Sequence, residues 1–335
     1  MKRRSFLKLG GASVASMLAA GSGLLTWSSR AFAATIEKTF YITDGEITQP
    51  DDVNVYFRGF SNSANELNVP GDSMIVQEGD TVRITVHNTL NTTHNFVIDG
   101  VVDSGPIGAG QSTTVEFVAG NAGTYMYHDN QNGQYNRLLG MHGGLAVMPA
   151  GSSNELYAGS RTFVKQHFWL FHDIDPVWHN ELRNGRTPTT NYSPRYFTLN
   201  GLSSRPPGAP DYNDASINAN YDPRSKLKGS IGDRTLLRML NAGLCDQSVH
   251  THANHMEWLA ENGTARAEVW EKDCLYLEGR MGGLDAIFPF HVATDAYPPA
   301  TGQTGHFPMH LHTEMSQTAG GGLYQFGAMT VIEFV

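Results

Sequence analysis

Apolar residues in this chain recur at every second position in short runs, and turn residues separate the runs. Met74-Ile75-Val76 is followed by Glu78-Gly79-Asp80 and then by Thr81-Val82-Arg83-Ile84-Thr85-Val86, a strand, turn, strand pattern. Phe96-Val97-Ile98, Thr113-Thr114-Val115-Glu116-Phe117 and Leu145-Ala146-Val147-Met148 continue it. Beyond the N-terminal segment, few windows hold an apolar period of 3.6 residues. The pattern predicts an all-β chain built as β-sandwiches.

The pattern also repeats over a longer distance. Glu78-Gly79-Asp80-Thr81-Val82-Arg83, His94, Gly123-Thr124-Tyr125-Met126-Tyr127-His128 and Gly144-Leu145-Ala146-Val147 form one copy. Ile231-Gly232-Asp233-Arg234-Thr235-Leu236, His250, Gly305-His306-Phe307-Pro308-Met309-His310 and Gly327-Ala328-Met329-Thr330-Val331 form the other. Two domains are therefore expected, at about 35–150 and 160–335, with a linker around Gly151-Ser152-Ser153-Asn154. The Pro-, Gly-, Asn- and Asp-rich segment 201–225 reads as a long surface loop.

The N-terminus breaks the pattern. Lys2-Arg3-Arg4-Ser5-Phe6-Leu7-Lys8 precedes a mildly apolar stretch that runs to Trp27, and Ala31-Phe32-Ala33 follows as a small-x-small cleavage motif. A membrane anchor is the competing reading, but Gly and Ser dilute the stretch and the cleavage motif comes directly after it. The paired arginines with Phe-Leu-Lys resemble a twin-arginine export signal. Residues 1–33 thus read as a signal peptide, and the mature protein is expected near Ala34, periplasmic or secreted, with no membrane attachment after cleavage. Substrates of that export route cross the membrane folded, often because they carry a cofactor.

Charge and cysteine content narrow the chemistry. Lys+Arg number 23 against 32 Asp+Glu; without Lys2, Arg3, Arg4, Lys8 and Arg30 the balance is 18 against 32. So acidic a chain has no general attraction for nucleic acid or anionic lipid. Two cysteines exclude a disulfide-framework miniprotein and any four-cysteine zinc or iron–sulfur site. The 14 histidines remain, and two His-x-His pairs stand out among them, His250-Thr251-His252 and His310-Leu311-His312. Residues i and i+2 of a strand share a face, so each pair presents two imidazoles side by side. Two pairs on neighbouring strands would make a four-imidazole face, and imidazole suits copper and zinc.

Here the chain resembles the tandem-cupredoxin superfamily of multicopper oxidases and copper nitrite reductases, over nearly all of its mature length. Val249-His250-Thr251-His252 resembles the family's His-x-His after a strand, and Pro308-Met309-His310-Leu311-His312-Thr313-Glu314 its C-terminal His-Cys-His signature. Gly123-Thr124-Tyr125-Met126-Tyr127-His128-Asp129 and Leu139-Gly140-Met141-His142-Gly143-Gly144 resemble its Gly-x-Tyr-x-Tyr-His segment and the approach to the last strand of a domain. The resemblance implies two cupredoxin domains, each a Greek-key β-sandwich. It implies copper, and a homotrimer with metal held between domain one of one subunit and domain two of the next. It also implies a type 2/type 3-like ligand set of His94, His128, His250, His252, His310 and His312, with Asn130 and Phe96 standing where the family has further histidines. His94-Asn95-Phe96 aligns as well with a type 1 ligand of a single cupredoxin.

The type 1 positions depart from the family. Leu311 stands in the place of the thiolate cysteine, Gln247 and Ser316 in those of the other domain-two ligands, and Asp129 follows His128 where domain one could carry a cysteine. Met141 is at most a remnant of an axial ligand. No type 1 copper is therefore expected. Asp99 and Asp129 lie beside ligands in sequence and are candidates to orient an imidazole or move a proton; ordinary turn aspartates are the alternative. His142, His255 and His306 lie near the motifs, whereas His87, His167, His172, His179 and His291 read as ordinary. Cys245 and Cys274 flank the first His-x-His pair, and in an exported protein a disulfide between them is expected.

The implied function is a copper oxidoreductase whose mononuclear, dinuclear or trinuclear site, made of histidine alone, takes electrons directly from substrate or a small redox donor and acts on O2, peroxide or a small anion. Two alternatives stand beside it. One is copper storage or transfer without turnover, against which the 12 scattered methionines count mildly. The other is zinc with a hydrolytic water.

Overall fold

Alternation along the strands is realised as alternating burial. In the computed structural model, Val82, Ile84 and Val86 of the strand Thr81–Asn88 point inward, and the antiparallel register sets Val82 opposite Phe117 and Ile84 opposite Val115. The residues described are 24–25, 32–152, 154–203, 224–292, 304–324 and 326–335.

Four large sheets form two sandwiches, each from its own part of the chain except that the short strand Leu24–Leu25 joins the second. In the first, Asn54–Ser61, Thr35–Thr48, Thr81–Asn88 and Ser112–Val118 make a four-stranded sheet. Met74–Gln77, His142–Met148, Gly123–His128, Val97–Ile98 and Val102–Asp103 make a five-stranded one. Phe40, Phe60, Phe96 and Tyr127 fill the space between them, with rings 5.2 to 6.1 Å apart. In the second sandwich, a seven-stranded sheet centres on Lys165–Ile174, Arg234–Asn241 and Gly283–Pro289. The facing five-stranded sheet runs Leu227–Gly229, Thr330–Phe334, Gly305–Leu311, Gln247–Thr251 and Cys274–Leu277. Trp169, Met239, Val249, Phe288, Met309 and Leu311 share the core between these sheets.

The sandwiches press flat against each other. Met126, Ala146 and Met148 of the first share one apolar cluster with Phe168, Leu170 and Ile287 of the second. A Cβ at Gly144 would stand 2.7 Å from the ring of Phe168, so only glycine permits this approach. Arg238, fully buried, crosses the boundary: it donates to Thr124 Oγ1 at 2.8 Å and the Gly123 carbonyl at 3.2 Å, and on its own side to Gln166 Oε1 at 2.9 Å.

Helix is confined to connections. The helix Pro176–Arg183 begins where Asp175 caps it, accepting from the backbone N–H groups of Val177 and Trp178, with Pro176 in the first turn. Among the described residues no helix is long and apolar enough to cross a membrane. Most of residues 1–33, read in the sequence as an export signal, and residues 204–223, read as part of a long loop, lie outside the described residues; within the former, Leu24–Leu25 pair antiparallel with His167 and Gln166.

Candidate metal centre

The strand Gln247–Thr251 turns Gln247, Val249 and Thr251 inward and Ser248 and His250 outward. Its neighbour Gly305–Leu311 buries Met309 and Leu311 and leaves His310 only partly covered. Register sets His250 opposite His310. Backbone bonds continue one residue past each strand, from His252 N–H to the Pro308 carbonyl at 3.1 Å and from His312 N–H to the Ser248 carbonyl at 2.8 Å, so His252 and His312 stay with the sheet.

The four rings meet. Centroids of His250 lie 4.7 Å from His252, 5.2 Å from His310 and 4.4 Å from His312, and those of His310 and His312 are 5.1 Å apart. One ligand atom each from His250, His310 and His312 falls within 4.8 Å of the others, and the Nε2 atoms of His252 and His310 face each other at 3.1 Å. Two nitrogens at about 2.0 Å from one ion and near the tetrahedral angle are separated by roughly 3.3 Å, so this spacing fits a shared metal.

Electrostatics agree with that fit. The Asp273 carbonyl at 3.1 Å can only accept, so it fixes the proton of His250 on Nδ1 and leaves the Nε2 lone pair for a ligand. Burial, followed by the neighbouring His252 and His312, pushes His250 down to about 4; burial, followed by His252 and His250, does the same to His310. Both rings are therefore neutral donors at ordinary pH. An all-imidazole set suits copper or zinc.

The first sandwich treats its histidines differently. His128 ends the strand Gly123–His128 and is buried, with Nε2 3.1 Å from Asp99 Oδ1. His94 is completely buried: its Nδ1 is 2.6 Å from Asp129 Oδ2, its Nε2 is 2.8 Å from Thr92 Oγ1, and Asn136 holds the other oxygen of Asp129 at 3.1 Å. Both aspartates singled out in the sequence thus sit against imidazoles. Both ring nitrogens of His94 are already bonded, however, and within one chain neither His94 nor His128 joins the metal-compatible group of His250, His310 and His312. Asp99 also lines a cavity of 470 Å³ between the sandwiches, together with Thr124, Met126, Arg280 and Asp285.

The positions matched to a type 1 centre are filled. Leu311 lies in the core, and Ser316 Oγ donates to Gln247 Oε1 at 2.7 Å. The expected disulfide is not formed, because both cysteines are free and their partners lie elsewhere. Cys274 stands directly opposite His250 in the sheet, with its Sγ 2.9 Å from Ser248 Oγ. The Cys245 backbone N–H donates to buried Asp173, and burial followed by Asp173 pushes the Cys245 thiol up to about 12. Sequence reasoning missed Thr92 and Asn136 as partners of the His94 pair, and Cys274 as a neighbour of His250. No local motif marks any of the three, since strand register and loop packing bring them in. Among the remaining histidines, His87 stacks on Tyr41 and bonds Ser112, while His255 and His291 are exposed.

Comparison with known proteins gives one consistent relationship. Residues 62–152 match the family model described as multicopper oxidase. The chain is 27% identical over 226 residues to Laccase-4 of Oryza sativa subsp. japonica, covering 62% of this chain and 36% of that protein. Over 91 residues it is 30% identical to the copper-containing nitrite reductase of Alcaligenes xylosoxydans xylosoxydans, 24% of this chain and 28% of that one. The match to Laccase-4 spans about a third of that longer protein. A blue copper oxidase from Nitrosomonas europaea superposes with a TM-score of 0.70 at 21% identity, over 90% of this chain and 86% of the other. The fold is thus the all-β, tandem cupredoxin-like sandwich.

Proposed function

We propose that this chain, which carries a multicopper oxidase domain, is an exported copper oxidoreductase working from a site of histidines alone, without a type 1 copper. The observation that carries the reading is the group of His250, His252, His310 and His312 on two paired strands, with spacings that suit one metal centre and with the rings of His250 and His310 held neutral by burial. Copper bound there would supply a Lewis acid and a one-electron redox centre. The chain's own groups do the rest. The Asp273 carbonyl holds His250 in one tautomer and one orientation. Leu311, Val249 and Met309 form a rigid apolar floor under the rings. Asp99, exposed and bonded to His128 Nε2, is a carboxylate able to exchange a proton with water in the cleft.

The separation of Asp99 and His128 from the His250 group within one chain supports a homotrimer in which the cleft of one subunit receives the histidine face of the next. In this reading the domains span 35–150 and 160–335, and the protein acts in the periplasm or outside the cell. The decisive experiment is copper content per chain after reconstitution, with the paramagnetic resonance spectrum of the bound ion and turnover measured with electron donors and O2, peroxide or nitrite. Copper with turnover is expected. Copper without turnover on any of these would leave a copper-holding protein, and zinc in place of copper would overturn the proposal. Mixing His128→Ala and His310→Ala chains tests the shared site: metal binding should recover in part.

A further inference from the structure

The buried pair of His94 and Asp129 takes no part in the metal centre, yet it reaches the surface through Thr92. Thr92 is exposed, in the loop between the strands Thr81–Asn88 and Val97–Ile98. Buried Asn88 fixes that loop: its Nδ2 donates to the Thr92 carbonyl at 2.7 Å and to the Ile107 and Gly108 carbonyls at 3.0 and 3.1 Å. Asp129 is fixed as firmly. One of its oxygens accepts from the Gln131 backbone N–H at 2.7 Å and from Asn136 Nδ2 at 3.1 Å, and the other takes His94 Nδ1 at 2.6 Å. A carboxylate only accepts, so the proton of the neutral imidazole is on Nδ1 and Nε2 carries a lone pair. The 2.8 Å contact between Nε2 and Thr92 Oγ1 is then a hydrogen bond in which the hydroxyl donates.

Thr92 also lines a cavity of 330 Å³, together with Asp44, Tyr56, Arg58, Leu90 and Arg183. Its size suits a small molecule. Both guanidiniums stand over the Tyr56 ring, Arg58 at 5.7 Å and Arg183 at 5.3 Å from its centroid. Arg58 donates from Nε to Tyr56 Oη at 2.9 Å and from Nη1 to Asn136 Oδ1 at 3.5 Å, and Asn136 is the residue that holds Asp129. Arg183 donates from Nη1 to Glu46 at 2.5 Å, and Tyr56 Oη donates to Asp44 at 2.8 Å. No hydrogen bond among the described residues uses Nη2 of either arginine. Two guanidiniums against the carboxylate of Asp44, already engaged by Tyr56, favour a guest with a negative charge.

A hydroxyl bonded to an imidazole, whose far nitrogen is held by a buried carboxylate, is the arrangement that activates a nucleophile for acyl transfer. We propose that Thr92, His94 and Asp129 form a hydrolytic site for small esters that carry a carboxylate, working without a metal. Thr92 Oγ1 attacks the ester carbonyl carbon while its proton passes to His94 Nε2. The bond from that carbon to the alcohol oxygen breaks, and the alcohol leaves with the proton from His94. The acyl group is then an ester on Thr92. Water adds to it, giving a proton to His94, and the acid is released as that proton returns to Thr92 Oγ1. Asp129 stays ionised throughout and keeps the ring in one orientation. Arg58 and Arg183 offer charged donors to the substrate carboxylate and to the oxyanion formed on attack.

The test uses the full chain stripped of metal with a chelator, so its outcome is separate from that of the copper site. The substrate is 4-acetoxybenzoate. Release of 4-hydroxybenzoate above the buffer rate is expected, and mass spectrometry of acid-quenched protein should find the acetyl group on Thr92. Thr92→Val removes the hydroxyl at nearly equal size and should lower turnover at least about a hundredfold, whereas Thr92→Ser should keep both turnover and adduct. Arg183→Gln should raise KM about tenfold. Release no faster than in buffer would overturn the proposal, as would an acetyl group on another residue or turnover that survives Thr92→Val. An unchanged KM in Arg183→Gln would overturn the anionic substrate class. If Thr92→Val does not fold, the adduct on the unaltered protein still decides.

Discussion

The two sandwiches each carry histidines where the chemistry is expected, and they handle them in opposite ways. In the second, His250 and His310 turn Nδ1 to backbone carbonyls, with the Asp273 carboxylate more distant at 3.7 Å from His250, and turn the rest of each ring toward other imidazoles. In the first, His94 is clamped at both nitrogens by Asp129 and Thr92 in a place water does not reach. The residue type is the same, and the surroundings decide whether it is a ligand or part of the framework. A carbonyl orients an imidazole and leaves it available; a buried carboxylate and a hydroxyl together use it up.

Several measurements would break or sharpen that contrast. The largest effect should come from acid. Burial lowers His167 and His179 to about 4 and His172 to about 3, well under the unfolded value near 6.5. Below pH 6.5 the unfolded chain takes up protons that the folded chain refuses, so stability should fall as pH drops through the window from 6.5 toward 4. At pH 5 each ring accounts for roughly 2 kcal/mol, in sum about 6 kcal/mol. Urea unfolding of metal-free protein at pH 7.5 and pH 5 checks this, and equal midpoints would show that these rings are hydrated.

Next in size is Asp129→Ala. It leaves His94 and Asn136 without their buried partner and should cost about 2–4 kcal/mol in urea unfolding, with copper binding at the His250 face unchanged. A loss of metal with no loss of stability would reverse the roles assigned to the two sandwiches. His250→Ala combined with His310→Ala should do the opposite. Copper affinity should fall at least about a hundredfold, which is about 2.7 kcal/mol, while the unfolding midpoint of the metal-free protein stays near that of the parent. The smallest effect concerns the thiols. Without reductant, two free thiols per chain should react with a thiol reagent, Cys274 ahead of Cys245, whose thiol is pushed up to about 12. Absence of reactive thiol would restore the disulfide.

Much of this was legible in the sequence. The i, i+2 spacing of His250-Thr251-His252 and His310-Leu311-His312 puts each pair at one place on a strand, and the repeat makes those strands equivalent to ones in the other half. Alternation of the Val82-Ile84-Val86 kind gave the fold class, because burial on one side of a strand repeats with period two. What it could not give is register between distant strands. Cys274 follows His250 by 24 residues, so flanking position suggested a bond to Cys245, whereas pairing sets Cys274 across from His250. His172 and His179 looked ordinary for the same reason. Only the packing of a strand and a helix from the second half of the chain against the first sandwich carries them to His142.

Arg238 has a mechanical consequence. Its guanidinium is bolted to the first sandwich at Gly123 and Thr124, in the same strand that ends in His128, and Thr124 is hydrogen-bonded in turn to Asp285 of the second. The two halves therefore turn as a single block. The cleft carrying Asp99 and the face carrying His250 hold a fixed bearing within the chain, like two sockets cut into one casting. Under the proposed homotrimer, bringing a cleft onto a histidine face is then a matter of adding another copy of the chain, and a dilute monomer should be inert however much metal it is offered.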